Sequence, residues 1–114
     1  MTTYKYDHIH LRSRDLKATA QYFATMFGAT ILESVQTDGQ PRIDLDLNGF
    51  TIFLAKANES TPDGPLTPYV GLDHFGLQVD DIDQAALELK EKGAEFVAEP
   101  YQLRPGIKIA FIQV

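Results

Sequence analysis

The stretch Tyr6-Asp7-His8-Ile9-His10-Leu11, running on to Asp15-Leu16, decides the fold because the chain repeats it. The second copy is Leu72-Asp73-His74-Phe75-Gly76-Leu77, running on to Asp81-Ile82. Asp7 and Asp73, His8 and His74, Leu11 and Leu77, and Asp15 and Asp81 each stand 66 residues apart. After each helix-like stretch comes Gly-Ala, at Gly28-Ala29 and Gly93-Ala94, now 65 apart. An offset that slips by a single residue marks a duplicated supersecondary unit with one deletion inside its helix. The duplication sets one histidine at the same point of each copy.

Working outward from the first copy, Tyr4 to Arg12 alternates as a strand, with Ile9 and Leu11 on one face and Tyr6, His8 and His10 on the other. Asp15 to Phe27 reads as a helix whose Leu16, Ala20, Phe23 and Phe27 form one apolar stripe. Ser13 or Asp15 caps its start, and Gly28 suits the left-handed residue past its end. Thr30 to Gln36 is a second strand, turning through Asp38-Gly39. In Arg42 to Leu47, Ile43, Leu45 and Leu47 oppose Arg42, Asp44 and Asp46. Asn48-Gly49 is a two-residue hairpin signal, so Phe50 to Lys56 returns antiparallel. The first module, residues 4–57, is therefore β-α-β-β-β.

Residues 58–69, broken by Pro62, Gly64, Pro65 and Pro68, read as a linker or a loop over a cavity mouth. The second module, 70–114, opens with a strand from Gly71 to Val79. A helix from Asp83 to Lys92 follows, with Ile82, Ala85, Ala86 and Leu89 inward and Gly93 as its stop. Strands at Glu95 to Tyr101 and Ile107 to Val114 flank a turn at Arg104-Pro105-Gly106. No counterpart of Phe50 to Lys56 follows them. An apolar edge left unpaired is a configuration proteins avoid, and the expectation is a truncated reading frame or an edge covered by another chain. The expected fold class is α+β, with both modules in one domain over 1–114.

Composition narrows the function classes. A chain of 114 residues suits one domain with a genuine core. With no cysteine, thiolate nucleophiles, disulfides and zinc-thiolate sites are excluded, which suits a cytoplasmic location. No apolar run approaches the roughly 20 residues of a membrane span. A net charge of -6 opposes binding to nucleic acid or an anionic membrane surface. There is no glycine-rich phosphate loop, serine elbow or HExxH motif.

The paired Asp-His-x-x-Leu strands, the Phe27-Gly28-Ala29 helix end and Val79-Asp80-Asp81-Ile82-Asp83 resemble the vicinal oxygen chelate superfamily. That superfamily includes glyoxalase I, methylmalonyl-CoA epimerase, extradiol dioxygenases, and the fosfomycin and bleomycin resistance proteins. The resemblance implies two βαβββ modules forming a curved, open, barrel-like sheet whose concave face holds a divalent metal. It implies His8 and His74 as metal ligands on the first strand of each module. Glyoxalase-like members carry a glutamate on the last strand of the first module, where this chain has Phe53. Fosfomycin-resistance enzymes manage with three ligands, the third being a glutamate on a last strand that this sequence does not reach.

Two readings of the histidines stay open: ligands of manganese, iron, nickel or zinc, or neutral hydrogen-bonding groups in a binding cup. His10 shares the face of His8 and is a candidate substrate contact. Gly76, its counterpart, leaves space for a ligand. Phe53, Tyr6 and Tyr101 are candidates for an apolar wall, and Arg42 or Arg104 for an oxyanion clamp. Asp44, Asp46 and Gln78 are further oxygen donors if their faces turn inward, though a solvated role suits the two aspartates. Glu99 is the candidate for proton transfer, while Glu88, Lys90, Glu91 and Lys92 form a solvated helix face. The expected function is a metal-dependent lyase, isomerase, epimerase or dioxygenase on a small oxygen-rich substrate. The alternative is a metal-free binding or drug-sequestering protein. The expected assembly is a homodimer, and a third, weaker reading has the open edge pairing with a partner strand.

Overall fold

The computed structural model describes residues 1–66 and 68–114; Thr67, in the expected linker, lies outside them. The fold is α+β, with six strands and two helices among the described residues. The chain divides into two compact units, Met1–Asp63 and Gly64–Val114, and the division falls within the expected 58–69 linker.

Unit 1 is the β-α-β-β-β module. Its elements are β1 (Ile9–Ser13), α1 (Leu16–Phe27), β2 (Thr30–Val35), β3 (Pro41–Leu47) and β4 (Phe50–Lys56). The sheet order is β1-β4-β3-β2, with β1 parallel to β4 and the other pairs antiparallel. Asp15 rather than Ser13 is the N-cap: its Oδ1 accepts from Ala18 N–H at 3.0 Å. Asp15→Ala is expected to lower unit 1 stability by about 1 kcal/mol, read as a lower denaturant midpoint at unchanged slope. Asn48 (φ 52) and Gly49 (φ 90) are both left-handed, the requirement of a type I′ hairpin turn.

The apolar stripe of α1 packs on β2, β3 and β4. Phe23, Leu45 and Ile52 are completely enclosed, joined by Ala20, Ala29, Ile43 and Leu54. Because strand side chains alternate, that core commits Arg42, Asp44, Phe53, His10 and Arg12 to the opposite face.

Unit 2 contains α2 (Ile82–Glu91), β5 (Glu95–Arg104) and β6 (Ile107–Gln113). Asp81 caps α2 by accepting from Gln84 N–H at 3.1 Å. A Schellman arrangement ends it: Ala94 N–H reaches Leu89 O at 2.9 Å and Gly93 N–H reaches Lys90 O at 3.0 Å, with Gly93 at φ 91. β5 and β6 pair antiparallel with three register irregularities. Pro100 lies within the one between Ala98 and Tyr101, where the missing N–H costs no ladder bond.

Two expectations are corrected. The first strand of unit 1 starts at Ile9, not Tyr4, and Gly71 to Val79 is not a sheet strand. The reason is hydrogen-bond supply. All the ladder bonds of β1 go to β4, and unit 2 offers no matching strand among its described residues. Apolar alternation alone does not make a strand when its backbone groups have no ladder partner. Burial follows suit: Ala86 is the one buried apolar residue among those described in unit 2, while Val97, Leu87 and Leu103 are exposed.

Candidate functional site

The exposed sheet face of unit 1 is organised around Phe53. Its ring lies 4.1 Å from that of His8, at 30° in a stacked arrangement, and 6.2 Å from that of His10, edge-on. The Arg42 guanidinium sits over the ring at 4.7 Å from its centroid, an attraction between cation and π quadrupole. Asp44 fixes that pose by accepting from Arg42 Nε at 3.0 Å. The register explains the grouping. Phe53 pairs with His10 on one side and Asp44 on the other. One ladder step past Ile43–Leu54 sets Arg42 beside Ala55, whose other neighbour is Arg12. His10, Arg12, Arg42, Phe53 and Ala55 line a groove of about 940 Å³.

Tyr6 lies next to this group, stacked on Phe50 and donating to Thr51 O. Asp46 accepts from Gly49 N–H in the hairpin turn. Both aspartates of β3 therefore have local partners. Asn58 and Thr61 build a hydrogen-bonded turn, and Arg14 ties it down through Asn58 O, Thr61 O and Asp63 Oδ1. The first part of the expected linker is thus fastened to unit 1.

In unit 2, His74 makes an edge-on contact with Phe111 at 5.0 Å. Gly76 is exposed, with nothing within 4 Å of where a Cβ would stand. Tyr101, opposite Ile109 on β5, and Arg104, at the end of that strand, are exposed. Glu99 is ion-paired with Lys90 of α2, and Lys108 with Asp83.

Both histidines share one feature the sequence did not single out. His8 Nδ1 lies 2.7 Å from Asp7 Oδ2, and His74 Nδ1 lies 2.7 Å from Asp73 Oδ2. An ionised carboxylate only accepts, so each bond puts the proton on Nδ1 and leaves the Nε2 lone pair available. This is the tautomer of a metal-ligating histidine with a carboxylate behind it. The repeated Asp-His dipeptide was the available signal. Arg12 was also missed, although its position two residues past His10 placed it on the same face. Each imidazole, backed by its aspartate, has donor chemistry that suits a divalent metal. Phe53 offers no donor atom, and no three His, Cys, Asp or Glu side chains among the described residues are grouped to hold an ion.

Comparison with known proteins agrees with the fold. The model for the glyoxalase/bleomycin resistance protein/dioxygenase superfamily matches residues 7–111, and the chain belongs to that superfamily. Among solved structures, the chain is similar to a glyoxalase family protein from Enterococcus faecalis. Identity is 21% and the TM-score 0.77, covering 95% of this chain and 87% of that one. It is also similar to TioX from Micromonospora sp. ML1, at 19% identity and TM-score 0.66, covering 96% and 90%. A third is a mutant of the fosfomycin resistance protein FosX from Listeria monocytogenes, complexed with Mn(II) and 1S,2S-dihydroxypropylphosphonic acid. Its identity is 20% and TM-score 0.59, covering 93% and 75%. No curated protein matched. No helix among the described residues is long and apolar enough to cross a membrane.

Proposed function

We propose that the protein is a divalent-metal-dependent enzyme, a lyase, isomerase, epimerase or dioxygenase acting on a small oxygen-rich substrate, with His8 and His74 as metal ligands. The observation that carries this reading is the matched pair of Asp–His bonds, which hold both rings in the ligating tautomer. Manganese, iron, nickel or zinc held there supplies Lewis-acid stabilisation of charge on substrate oxygens. The chain's own residues do the rest. Asp7 and Asp73 orient the imidazoles. Phe53 stacks on the His8 ring and shields one of its faces from water. His10 and Arg42 border the groove that takes the substrate. Gly76 and Tyr101 are assigned to substrate contact from the second module. Glu99 is available for proton transfer only once released by Lys90. A homodimer in the cytoplasm completes the reading.

The test is elemental analysis of protein purified without chelators. Stoichiometric first-row metal is expected in the wild type and its loss in His8→Ala and His74→Ala. A wild type that carries no such metal and takes none up on reconstitution ends the proposal.

A second reading, a metal-free binding or sequestering protein, is favoured by Phe53 itself. An aromatic ring under a guanidinium stands where glyoxalase-like members place a carboxylate ligand. Ligand binding that survives complete metal removal, in a wild type without metal-dependent turnover, selects this reading.

A further inference from the structure

The cations of unit 1 are distributed unevenly. The protein carries a net charge of -6, yet the groove, which reaches round the end of the sheet, is lined by Arg12 and Arg42 from the exposed face and Lys56 from the other, against one carboxylate, Glu59. Arg12 on β1 pairs with Ala55 of β4, Arg42 on β3 is one residue past the last β3–β4 pair, Ile43–Leu54, and all three line the same groove. Strands two apart are separated by about 10 Å, and the residue between these two arginines is only a methyl group. The gap is therefore floored by Ala55, bounded along β4 by the Phe53 ring and walled by two guanidinium-bearing side chains.

The state of Arg42 specifies what the gap receives. Its Nε is used by Asp44 and its flat face by Phe53, and among the described residues its terminal Nη1 and Nη2 remain to meet a ligand. That edge presents parallel N–H donors spaced for the two oxygens of a carboxylate or phosphate. Two fixed contacts also remove much of the rotamer entropy that an arginine loses on binding.

We infer that this face is an oxyanion subsite: Arg12 and Arg42 bind the carboxylate or phosphate of a small organic anion. The subsite deepens the proposed function by naming its substrate class. It rests on that reading only in taking this face as the substrate side, since its contacts belong to unit 1 and use neither Nε2 atom.

The experiment is a titration of isotopically labelled, chelator-treated full chain, followed by amide NMR shifts, with benzoate, phenyl phosphate, inorganic phosphate and neutral benzamide as probes. Saturable binding of benzoate or phenyl phosphate is expected, with the largest shifts at Arg12, Arg42, Phe53 and Ala55. Arg12→Gln and Arg42→Gln are each expected to weaken it by about tenfold or more. Arg42→Lys, which keeps the charge without the fork, falls between the wild type and Arg42→Gln. Unchanged core amides at Leu45 and Ile52 in these variants exclude unfolding as the cause. No saturable binding by either anion, equal binding of benzamide, or Gln variants that bind like the wild type overturns the inference. Metal content reports separately on the proposed function. His74→Ala, whose contacts are with Asp73 and Phe111 in unit 2, loses metal but keeps anion binding, whereas Arg12→Gln and Arg42→Gln keep metal and lose the anion.

Discussion

Phe23→Ala is expected to destabilise unit 1 by about 3–5 kcal/mol, the cost of removing an enclosed aromatic side chain and leaving a cavity behind. Phe23 is fully shielded from solvent. It contacts the rings of Tyr22 and Phe27 on its own helix, at 6.1 and 5.6 Å between centroids. Its helix rests on the sheet whose inward side chains include Leu45 and Ile52. Rigid strands on one side and bulky rings on the other leave little means of collapsing into the void. The loss takes most of the stability a small domain has, so the groove built on the other face of the same strands should go with it. Phe27→Ala, at a partly exposed position, should cost clearly less. Because the two units need not unfold together, the measurement is native-state hydrogen exchange at the amides of β3 and β4. A loss below about 1 kcal/mol at those amides would mean that the helix–sheet layer is not what holds unit 1 together.

That layer was legible in the sequence because each of its signals is local. The spacing of Ala20, Phe23 and Phe27, the cap at Asp15, the stop at Gly28 and the Asn48-Gly49 turn each depend on a few neighbouring residues. Strand parity set His10 on the face of His8 and Arg42 opposite Ile43, Leu45 and Leu47, but that His10, Arg42 and Phe53 share one face follows from the strand pairing. The same logic failed at Gly71 to Val79, because a strand also needs a partner, and pairing is not written in the strand's own residues. It failed again at Arg12, whose meaning depends on its neighbour across β4, Ala55. Asp7 and Asp73 lay in plain view inside the repeat. What the sequence lacked was the side-chain geometry that turns each from a charged neighbour into a hydrogen-bond acceptor for the following imidazole.

Those two aspartates carry the last prediction: Asp7→Asn and Asp73→Asn are each expected to weaken divalent-metal binding by about 10- to 100-fold. An ionised carboxylate at 2.7 Å from Nδ1 fixes the proton there and sets the ring plane. An asparagine amide keeps nearly the same shape but carries no charge. It can also turn its NH2 toward the ring, which would favour the tautomer protonated on Nε2 and block that lone pair. The His8 ring has the Phe53 stack to hold it, whereas His74 has an edge contact with Phe111. The drop should accordingly be larger for Asp73→Asn than for Asp7→Asn. Competition with a chromophoric chelator measures the affinity, and nitrogen shifts of the two imidazoles report the tautomer in the metal-free protein. If both variants bind metal like the wild type while their imidazoles change tautomer, the carboxylates do not tune the ligands. If the tautomers do not move either, each Asp–His contact is an exposed ion pair of little energetic weight, and the strongest support for metal chemistry in this chain is gone.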